Sequence, residues 1–437
     1  MPEFKTVRGM RDFLNDDART MRQIEETARR VSQLYRYNEV ITPVVEPYEL
    51  LAAKTGEEVR SRMFTFNDLG DRRVALRPEF TASLARVVAT KLRSEPRPFR
   101  LFAVGSIYRY DEPQRGRYRE FWQSDYELMG SNRPEADAEI LMLTDSLMKQ
   151  AGLRKYAFKI GHVGIMRGIF NQEKLNEKTQ DEVMQLMDKK LYEDAFKTVE
   201  KAGASEKCQR ILRQLLATGG KDASKVIGEI RKHVEDYSSA VEAADNLDDI
   251  LTLLCDSGIG IDLTVEAGFE RGLEYYTGMI FEVYVPDLDI ALGGGGRYDR
   301  LIELFGGDPT PAVGVAHGLD RMMLGLQEQK IMPKQPTTPS VTVIPIGEGM
   351  TSQALRISGI LRDAGVAVET EVLGRRIAKA LEDADRRKTR YAILVGEKEI
   401  KQESIIIRDM KKREQNTVRI DDIISMITKT EYNSLEA

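Results

Sequence analysis

The stretch FAVGSIYRYDEPQRGRYREFWQSDYELMG, residues 102–130, contains the clearest signal for the fold of this chain. Residues 99–110 and 118–129 are rich in aromatic and other strand-favouring side chains. Between them lies DEPQRGR, which is polar, basic and rich in turn-forming residues. The pattern predicts two long antiparallel strands joined by a mobile basic loop.

Upstream of this stretch, the sequence predicts a helix followed by an extended segment. Over residues 17–36, apolar side chains recur at helical spacing, at Met21, Ile24, Ala28, Val31 and Tyr35. The helix leads into VITPVVEPYEL, which Pro43 and Pro47 keep from being helical.

Downstream, helical and strand-like patterns alternate. Residues 135–150 are predicted to be helical, and YAFKIGHVG is predicted to be a strand followed by a turn. Between about 165 and 255, successive apolar stripes with many charges predict an inserted helical subdomain. Strand-like composition returns in DLTVEA, MIFEVYV, DIALGG and AVGVAHG, and the last of these leads into the helical LDRMMLGLQ.

A proline-rich stretch marks a domain boundary. KIMPKQPTTPS cannot support a packed core, so a linker is expected at 327–339, after a first domain at 1–326. Residues 340–437 contain three apolar strand candidates, separated by helical patterns at 351–364 and 375–388. This βαβαβ order is typical of a parallel sheet and predicts a separate small α/β domain.

The composition argues against several classes of protein. The chain has 437 residues, 41% of them hydrophobic and 31% charged, and no apolar stretch approaches the roughly 20 residues that a membrane helix needs. The first residues resemble no export signal, so we expect a cytoplasmic protein. Cys208 and Cys255 are too few for a disulfide framework or a zinc site, and both are expected to be buried thiols. With a net charge of −5, any nucleic acid must be bound by local basic patches.

Arginines beside turns and strand ends are the first sign of chemistry. They are Arg109, Arg115, Arg117, Arg119, Arg271, Arg297 and Arg321. Converging guanidinium groups hold phosphates with fixed geometry, although any one arginine is more often a surface or ion-paired residue. The chain has neither GxxxxGK[ST] nor a GxGxxG that follows a strand and opens a helix. The run GGGGRYD, residues 293–299, predicts either a phosphate-binding nest or close packing of backbone.

Together these motifs resemble the histidyl-tRNA synthetase family of class II aminoacyl-tRNA synthetases over essentially the whole chain. Motif 1 corresponds to residues 17–36 with VITPVVEP, motif 2 to residues 102–130 and motif 3 to AVGVAHGLDRMM. RGLEYYTG, at 271–278, and GGGGRYD distinguish the histidine enzyme within the class. The resemblance implies an α+β fold, in which an antiparallel-sheet catalytic domain with a helical insertion precedes a C-terminal α/β anticodon-binding domain.

The resemblance also implies the reaction. A histidine–tRNA ligase activates histidine with ATP to histidyl-adenylate, releases pyrophosphate and transfers histidine to the 3′ end of tRNA(His). ATP is expected to contact Arg109 and Arg321, and Arg271 to reach the α-phosphate, where charge develops. Mg²⁺ is expected on the phosphate oxygens, with ligands that the sequence does not specify. No side-chain nucleophile is required, because the arginines position the reactants and stabilise charge.

A histidine pocket is implied as well. Glu79 and Thr81 would share one face of a strand and bind the ammonium group together with Gln123. Glu127 lies four residues beyond Gln123, on the same face of an extended strand, and is assigned to the imidazole. Without the resemblance, these polar residues would equally suit a solvent-facing strand or pairs with nearby arginines.

Two adjacent tyrosines complete that pocket. In an extended segment Tyr275 and Tyr276 point in opposite directions, so one of them is expected to serve the core, and Tyr276 to contact the imidazole. A buried polar pair that only an imidazole satisfies rejects apolar analogues, so no editing domain is expected. His162, His233 and His317 are scattered and indicate no general base.

RNA contacts are expected at two places. The motif 2 loop, with Gln114, Arg115 and Arg117, would meet the acceptor end of the tRNA. In the C-terminal domain the basic residues either contact phosphates or form a solvated face, and they are Arg375, Arg376, Arg386 and Arg387. The remaining implied partner is a second copy of the chain, in a homodimer formed at motif 1.

Some positions depart from the commonest family forms. Glu274 occurs where Asp is common, and Asp320 occurs where Glu is common. Phe80 and Trp122 are bulkier than the usual residues, so the sequence does not decide the shape of the pocket near Phe80. The nearest alternative is a non-catalytic paralogue such as the regulatory subunit of ATP phosphoribosyltransferase. Such subunits usually lack the anticodon domain and the arginine found here as Arg271. An RNA-sensor domain of a kinase and the glycine, proline or threonine enzymes fit less well, because kinase signatures are absent and RGLEYYTG is present.

Overall fold

The computed structural model describes residues 4–53, 57–269, 275–286, 288, 290–331 and 340–432. The chain divides into two compact units, residues 1–333 and 334–437. Most of the predicted linker lies outside the described residues. No described helix combines the length and apolar character needed to cross a bilayer.

Strands and helices of the first unit are numbered in chain order. The described strands are β1 (Asn38–Glu39), β2 (Val45–Pro47), β3 (Thr65–Asn67), β4 (Arg73–Leu76), β5 (Phe99–Tyr108), β6 (Glu120–Met129), β7 (Ala157–His162), β8 (Gly219–Gly220), β9 (Leu263–Glu266), β10 (Met279–Tyr284), β11 (Ala291–Arg297) and β12 (Ala312–Gly318). The described helices are α1 (Asn15–Leu34), α2 (Tyr48–Ala52), α3 (Glu57–Arg60), α4 (Thr81–Thr90), α5 (Pro134–Ala151), α6 (Val163–Gln172), α7 (Glu177–Asp188), α8 (Tyr192–Lys201), α9 (Glu206–Ala217), α10 (Ala223–His233), α11 (Ser238–Asp256), α12 (Leu301–Leu304) and α13 (Leu319–Glu328).

The centre of this unit is a nine-stranded sheet in the order β1-β5-β6-β12-β11-β10-β7-β9-β8. Its neighbours are antiparallel except for the pairs β1–β5 and β7–β9. The predicted hairpin is confirmed, because β5 and β6 pair from Phe99–Met129 to Tyr108–Glu120. Strand β12 lies between β6 and β11, which brings motif 2 and the glycine run to opposite sides of motif 3.

Helices α1 and α5 pack on one face of β6. The predicted stripe of α1 is buried at Met21, Ile24, Ala28 and Val31, and the Tyr126 hydroxyl donates to the Ala28 carbonyl. Successive side chains of a strand point to opposite faces. Because Tyr126 points toward α1, the odd-numbered residues of β6 point to the other face.

The predicted helical insertion corresponds to α6–α11. Its core includes Val183, Cys208 and Leu212, as the apolar stripes predicted. The prediction of a turn after YAFKIGH was wrong, because β7 leads directly into α6. The His162 ring caps this helix by accepting a hydrogen bond from the Gly164 N–H. Cys255 is exposed, so the expectation of two buried thiols holds only for Cys208.

The second unit has a mixed sheet rather than a purely parallel one. Its described elements are β13 (Val341–Ile346), α14 (Thr351–Asp363), β14 (Val368–Thr370), α15 (Ile377–Arg386), β15 (Tyr391–Gly396), α16 (Glu397–Ile400), β16 (Ser404–Asp409), β17 (Glu414–Arg419), a 3₁₀ turn (Ile420–Asp422) and α17 (Ile423–Tyr432). The parallel strands β14-β13-β15 match the prediction, and β16 and β17 extend the sheet as an antiparallel edge. Strand β17 is polar and largely exposed, so its sequence shows no apolar alternation.

Candidate active site

A cavity of about 320 Å³ opens on the face of β6 opposite to Tyr126. Its lining comes from segments that are far apart in the sequence, including motif 2, motif 3 and the glycine run. The residues predicted for histidine and ATP that line it are Glu79, Thr81, Arg109, Gln123, Glu127, Tyr275, Tyr276 and Arg321. Arg271 and Glu274 lie outside the described residues.

The segment that carries Glu79 and Thr81 is not a strand. Thr81 is the first residue of α4, and Pro78–Phe80 form the bend before it. The prediction of a shared strand face was therefore wrong, yet both side chains are buried against the cavity. Burial raises the pKa of Glu79, while the nearby Arg109 guanidinium and a hydrogen bond from Tyr275 oppose that rise.

Glu127 is held from both sides. The Thr81 hydroxyl donates to Glu127 Oε1 at 2.7 Å, and the Tyr298 hydroxyl donates to Glu127 Oε2. Across the sheet Gly314 pairs with Glu127, and a Cβ at Gly314 would lie 1.6 Å from Oε2. The side chain is thus fixed in a space that only glycine leaves open. Tyr298 was not predicted, although it belongs to the GGGGRYD block.

Asp125 is a second residue that the sequence interpretation missed. It lies between Gln123 and Glu127 on β6 and lines the same cavity. The period of two that placed Gln123 and Glu127 on one face also includes position 125, so the signal was present. Burial and the neighbouring Glu127 and Glu79 raise the pKa of Asp125 well above its ordinary value.

Arg109 and Arg321 are positioned by backbone carbonyls. Arg109 Nε donates to the Pro78 carbonyl at 2.9 Å. Arg321 donates from Nε to the Gly116 carbonyl at 3.1 Å and from Nη1 to the Ala291 carbonyl at 2.9 Å. These carbonyl groups fix the orientation of both guanidinium planes at the wall of the cavity.

Two other arginines have structural roles. Arg297 is buried and donates to Asp137, and Arg119 is buried with its guanidinium stacked on Tyr110. Neither lines the cavity. A buried guanidinium with a carboxylate partner is satisfied within the protein, so Arg297 is one of the ion-paired arginines that the sequence also allowed.

Gly293, Gly294 and Gly295 line the cavity as part of the extended strand β11. A Cβ at Gly295 would lie 1.9 Å from the Gly314 carbonyl oxygen. Close packing of backbone, and not a phosphate nest, therefore explains the run. The glycines leave this part of the sheet bare for a ligand.

Both tyrosines of the histidine-specific block border the cavity, with ring centroids 5.0 Å apart. The segment at 275–278 is not a strand, so the two side chains need not point in opposite directions, and Tyr276 lines the cavity although it also belongs to the buried core. Phe80 is 1% exposed within the core and does not line the cavity, so its bulk is accommodated away from the ligand.

Only part of the motif 2 loop faces the cavity. Arg117 lines the cavity, whereas Gln114 and Arg115 do not, and Arg115 pairs with Glu328 at 3.2 Å. In the second unit, Arg375, Arg386 and Arg387 form ion pairs with carboxylates of their own unit, which favours a solvated face at these residues.

The protonation of Glu127 leads to a prediction about stability. Burial raises its pKa from 4.5 to about 8, although Tyr298 and Thr81 donate to it. Between these values the folded protein keeps a proton that the unfolded chain releases, so this contribution to stability is complete below pH 4.5 and is lost as pH rises through about 8. We expect the free energy of unfolding, measured by urea titration, to fall from pH 6 to 8.5, and Glu127→Gln to make that fall shallower. Equal slopes in the two proteins would contradict this assignment.

Comparison with known proteins agrees with the geometry. A family model described as "Histidyl-tRNA synthetase" matches residues 9–322, and one described as "Anticodon binding domain" matches residues 340–430. The chain is 37% identical over 430 residues to a histidine–tRNA ligase of Methanococcus maripaludis, covering 97% of this chain and 99% of the relative. It is 37% identical over 432 residues to that of Metallosphaera sedula, covering 98% and 99%.

A solved structure shares the fold. The histidyl-tRNA synthetase from Nostoc sp. PCC 7120 superposes with a TM-score of 0.78 at 22% identity, covering 98% of this chain and 100% of that one. Identity at this level supports the architecture alone, and membership rests on the family model and the relatives of nearly full length. The motifs, the fold and these matches together show that the chain belongs to the histidyl-tRNA synthetase family.

Proposed function

We propose that the chain is a histidine–tRNA ligase, an enzyme that activates histidine with ATP to histidyl-adenylate and transfers histidine to the 3′ end of tRNA(His). The observation that carries this proposal is one cavity lined by buried carboxylates, tyrosines and two carbonyl-oriented arginines. Curated relatives of nearly full length are histidine–tRNA ligases, which supports the same activity.

The histidine side of the cavity is assigned to its carboxylates and hydroxyls. Glu127, held by Thr81 and Tyr298, accepts a ring N–H of the imidazole, and Tyr276 or Tyr275 meets the other ring nitrogen. Glu79 and Gln123 bind the ammonium group. An analogue with an apolar side chain leaves the buried Glu127 without the ring N–H that it would bind. The resulting loss of binding free energy is much larger than that of one lost apolar contact.

The ATP side is assigned to Arg109, Arg321 and, from the sequence resemblance, Arg271. They hold the phosphates in line with the histidine carboxylate, which attacks the α-phosphorus as pyrophosphate leaves. Mg²⁺ would neutralise phosphate charge when bound. Glu282, which lines the cavity on β10 opposite Gly294, fits this requirement, since Mg²⁺ at phosphates needs only one or two carboxylates.

The two units are assigned separate tasks. Residues 1–326 form the catalytic domain with an insertion at about 165–255, 327–339 the linker and 340–437 the anticodon-binding domain. The loop at Gln114, Arg115 and Arg117 contacts the tRNA acceptor end, as basic side chains suit phosphates.

We also propose a cytoplasmic homodimer joined at motif 1. Ile41 is 91% exposed beside the exposed Val44 and Val45, an apolar strip suited to burial against a second copy.

A regulatory subunit of ATP phosphoribosyltransferase remains the second candidate, because such subunits share the catalytic fold. It is less favoured, because the anticodon-binding family model matches residues 340–430 and the chain matches curated histidine–tRNA ligases over nearly their whole length.

Pyrophosphate exchange tests the proposal. We expect exchange of labelled pyrophosphate into ATP with histidine and with none of the other amino acids, followed by charging of tRNA(His). A binding-only paralogue would bind histidine without exchange. Absence of exchange with histidine, ATP, Mg²⁺ and tRNA all present would refute the assignment.

A further inference from the structure

Asp125 is a buried carboxylate to which the scheme above gives no role. It is 0% exposed and lines the cavity between Gln123 and Glu127. Its neighbours across the sheet are Ala103 on β5 and Ala316 on β12, whose side chains offer no hydrogen bond. Neither carboxylate oxygen has a hydrogen-bond partner of normal geometry among the described residues, and the Phe80 N–H is the one backbone group near enough to stabilise its charge. A carboxylate buried in this way reduces stability unless a ligand pairs with it.

The charges that face Asp125 favour a cation. They are the carboxylates of Glu79 and Glu127 and the guanidinium groups of Arg109 and Arg77. Burial raises the pKa of all three carboxyl groups, so negative charge is disfavoured in this closed space until a cationic ligand pairs with it.

The unused acceptors in the cavity match an ammonium group. Such a group donates three hydrogen bonds. Gln123 Oε1 and the two oxygens of Asp125 are buried without partners, and Glu79 lies beside them. The Thr81 hydroxyl donates its proton to Glu127, and its oxygen keeps lone pairs that can accept from an ammonium group. Among the described residues no group of three His, Cys, Asp or Glu side chains is arranged to hold a metal ion, which favours an organic cation here.

We infer that Asp125 binds the α-ammonium group of histidine, beside Glu79 and Gln123. This assignment rests on the proposed function. It adds Asp125 to the ammonium site implied by the sequence, which consists of Glu79, Thr81 and Gln123.

The test compares histidine with 3-(imidazol-4-yl)propionate, which keeps the ring and the carboxylate but lacks the ammonium group. We expect Asp125→Asn in the full chain to weaken histidine binding by about 10- to 100-fold, measured calorimetrically, because a charge-assisted hydrogen bond is lost. The inhibition constant of 3-(imidazol-4-yl)propionate for this variant, measured in the exchange assay, should change by less than about twofold. Asp145→Asn is the control, since Asp145 is also buried but bonds Tyr156 outside the cavity, and it should alter neither ligand.

Asp125→Ala gives a second reading should Asp125→Asn fold poorly, because it removes the buried carboxylate without leaving a polar group in its place. It too should weaken histidine binding and leave the propionate nearly unaffected. Unchanged histidine binding in the folded variants, or an equal loss for both ligands, would overturn the inference. If the unaltered protein shows no histidine-dependent exchange, the proposed function itself fails, whatever these variants do.

Discussion

Replacing Arg109 with alanine is expected to lower the single-turnover rate of histidyl-adenylate formation by about 10²-fold or more. The expectation follows from the loss of one preorganised donor to charge that develops at phosphorus. Arg109 lines the cavity, and the Pro78 carbonyl fixes its Nε, so the guanidinium needs no rearrangement as the reaction proceeds. Quench-flow measurement of adenylate at saturating histidine and ATP separates this step from substrate binding.

Arg133→Ala is the matched control for that experiment. Arg133 is exposed, pairs with Glu135 at 2.8 Å and does not line the cavity, so its removal should leave the rate unchanged. Arg109→Lys keeps the charge but not the planar fork, and we expect it to recover only part of the rate. A single-turnover rate that is equal in Arg109→Ala and in the unaltered protein would remove Arg109 from the mechanism.

Replacing Glu127 with glutamine is expected to lower kcat/KM for histidine by about 10²- to 10³-fold, because a pocket built to match the imidazole then lacks one of its buried hydrogen-bond partners. Glutamine replaces one carboxylate oxygen by an NH₂ that only donates, so the hydroxyl beside it, Thr81 or Tyr298, must turn to accept, and the side chain has one acceptor fewer for the ring N–H.

The KM for ATP should change little in Glu127→Gln, because this residue is assigned to the amino acid. Tyr298→Phe provides the comparison, since it removes one hydrogen bond to Glu127 while leaving the carboxylate, and its effect on histidine should be smaller. A loss that fell equally on ATP and histidine would indicate a general disturbance of the cavity instead of a role in selecting the imidazole.

Local patterns in the sequence were enough for most elements near the site. The spacing of apolar and aromatic residues predicted the β5–β6 hairpin and the buried stripe of α1. It did so because a strand or helix with one buried face repeats its apolar residues at a characteristic period. The same logic failed at LRPEFTA, where a spacing of two suggested a strand and the chain instead bends at Pro78 and begins α4 at Thr81. A stretch of seven residues is too short for its period to separate these outcomes.

Family resemblance supplied the candidate residues, but their environments depended on the fold. Arg297 and Arg321 look alike as arginines near glycines, yet one is buried against Asp137 and the other faces the cavity. Tyr298 and Glu127 are 171 positions apart, and no local pattern links them. The alternation of side chains along a strand could have placed Asp125 on the same face as Gln123 and Glu127. It could not show whether the carboxylate oxygens of Asp125 have hydrogen-bond partners.

The sequence by itself determined the elements, the hairpin of motif 2 and the family to which the chain belongs, because these depend on short-range periodicity and on residues that occur together in motifs. Only the tertiary structure decided which polar groups meet. The register of β12 between β6 and β11 places Gly314 against Glu127 and leaves the oxygens of Asp125 unpaired in the same cavity. Contacts of that kind follow from strand order and register in three dimensions, which spacing along one strand does not encode.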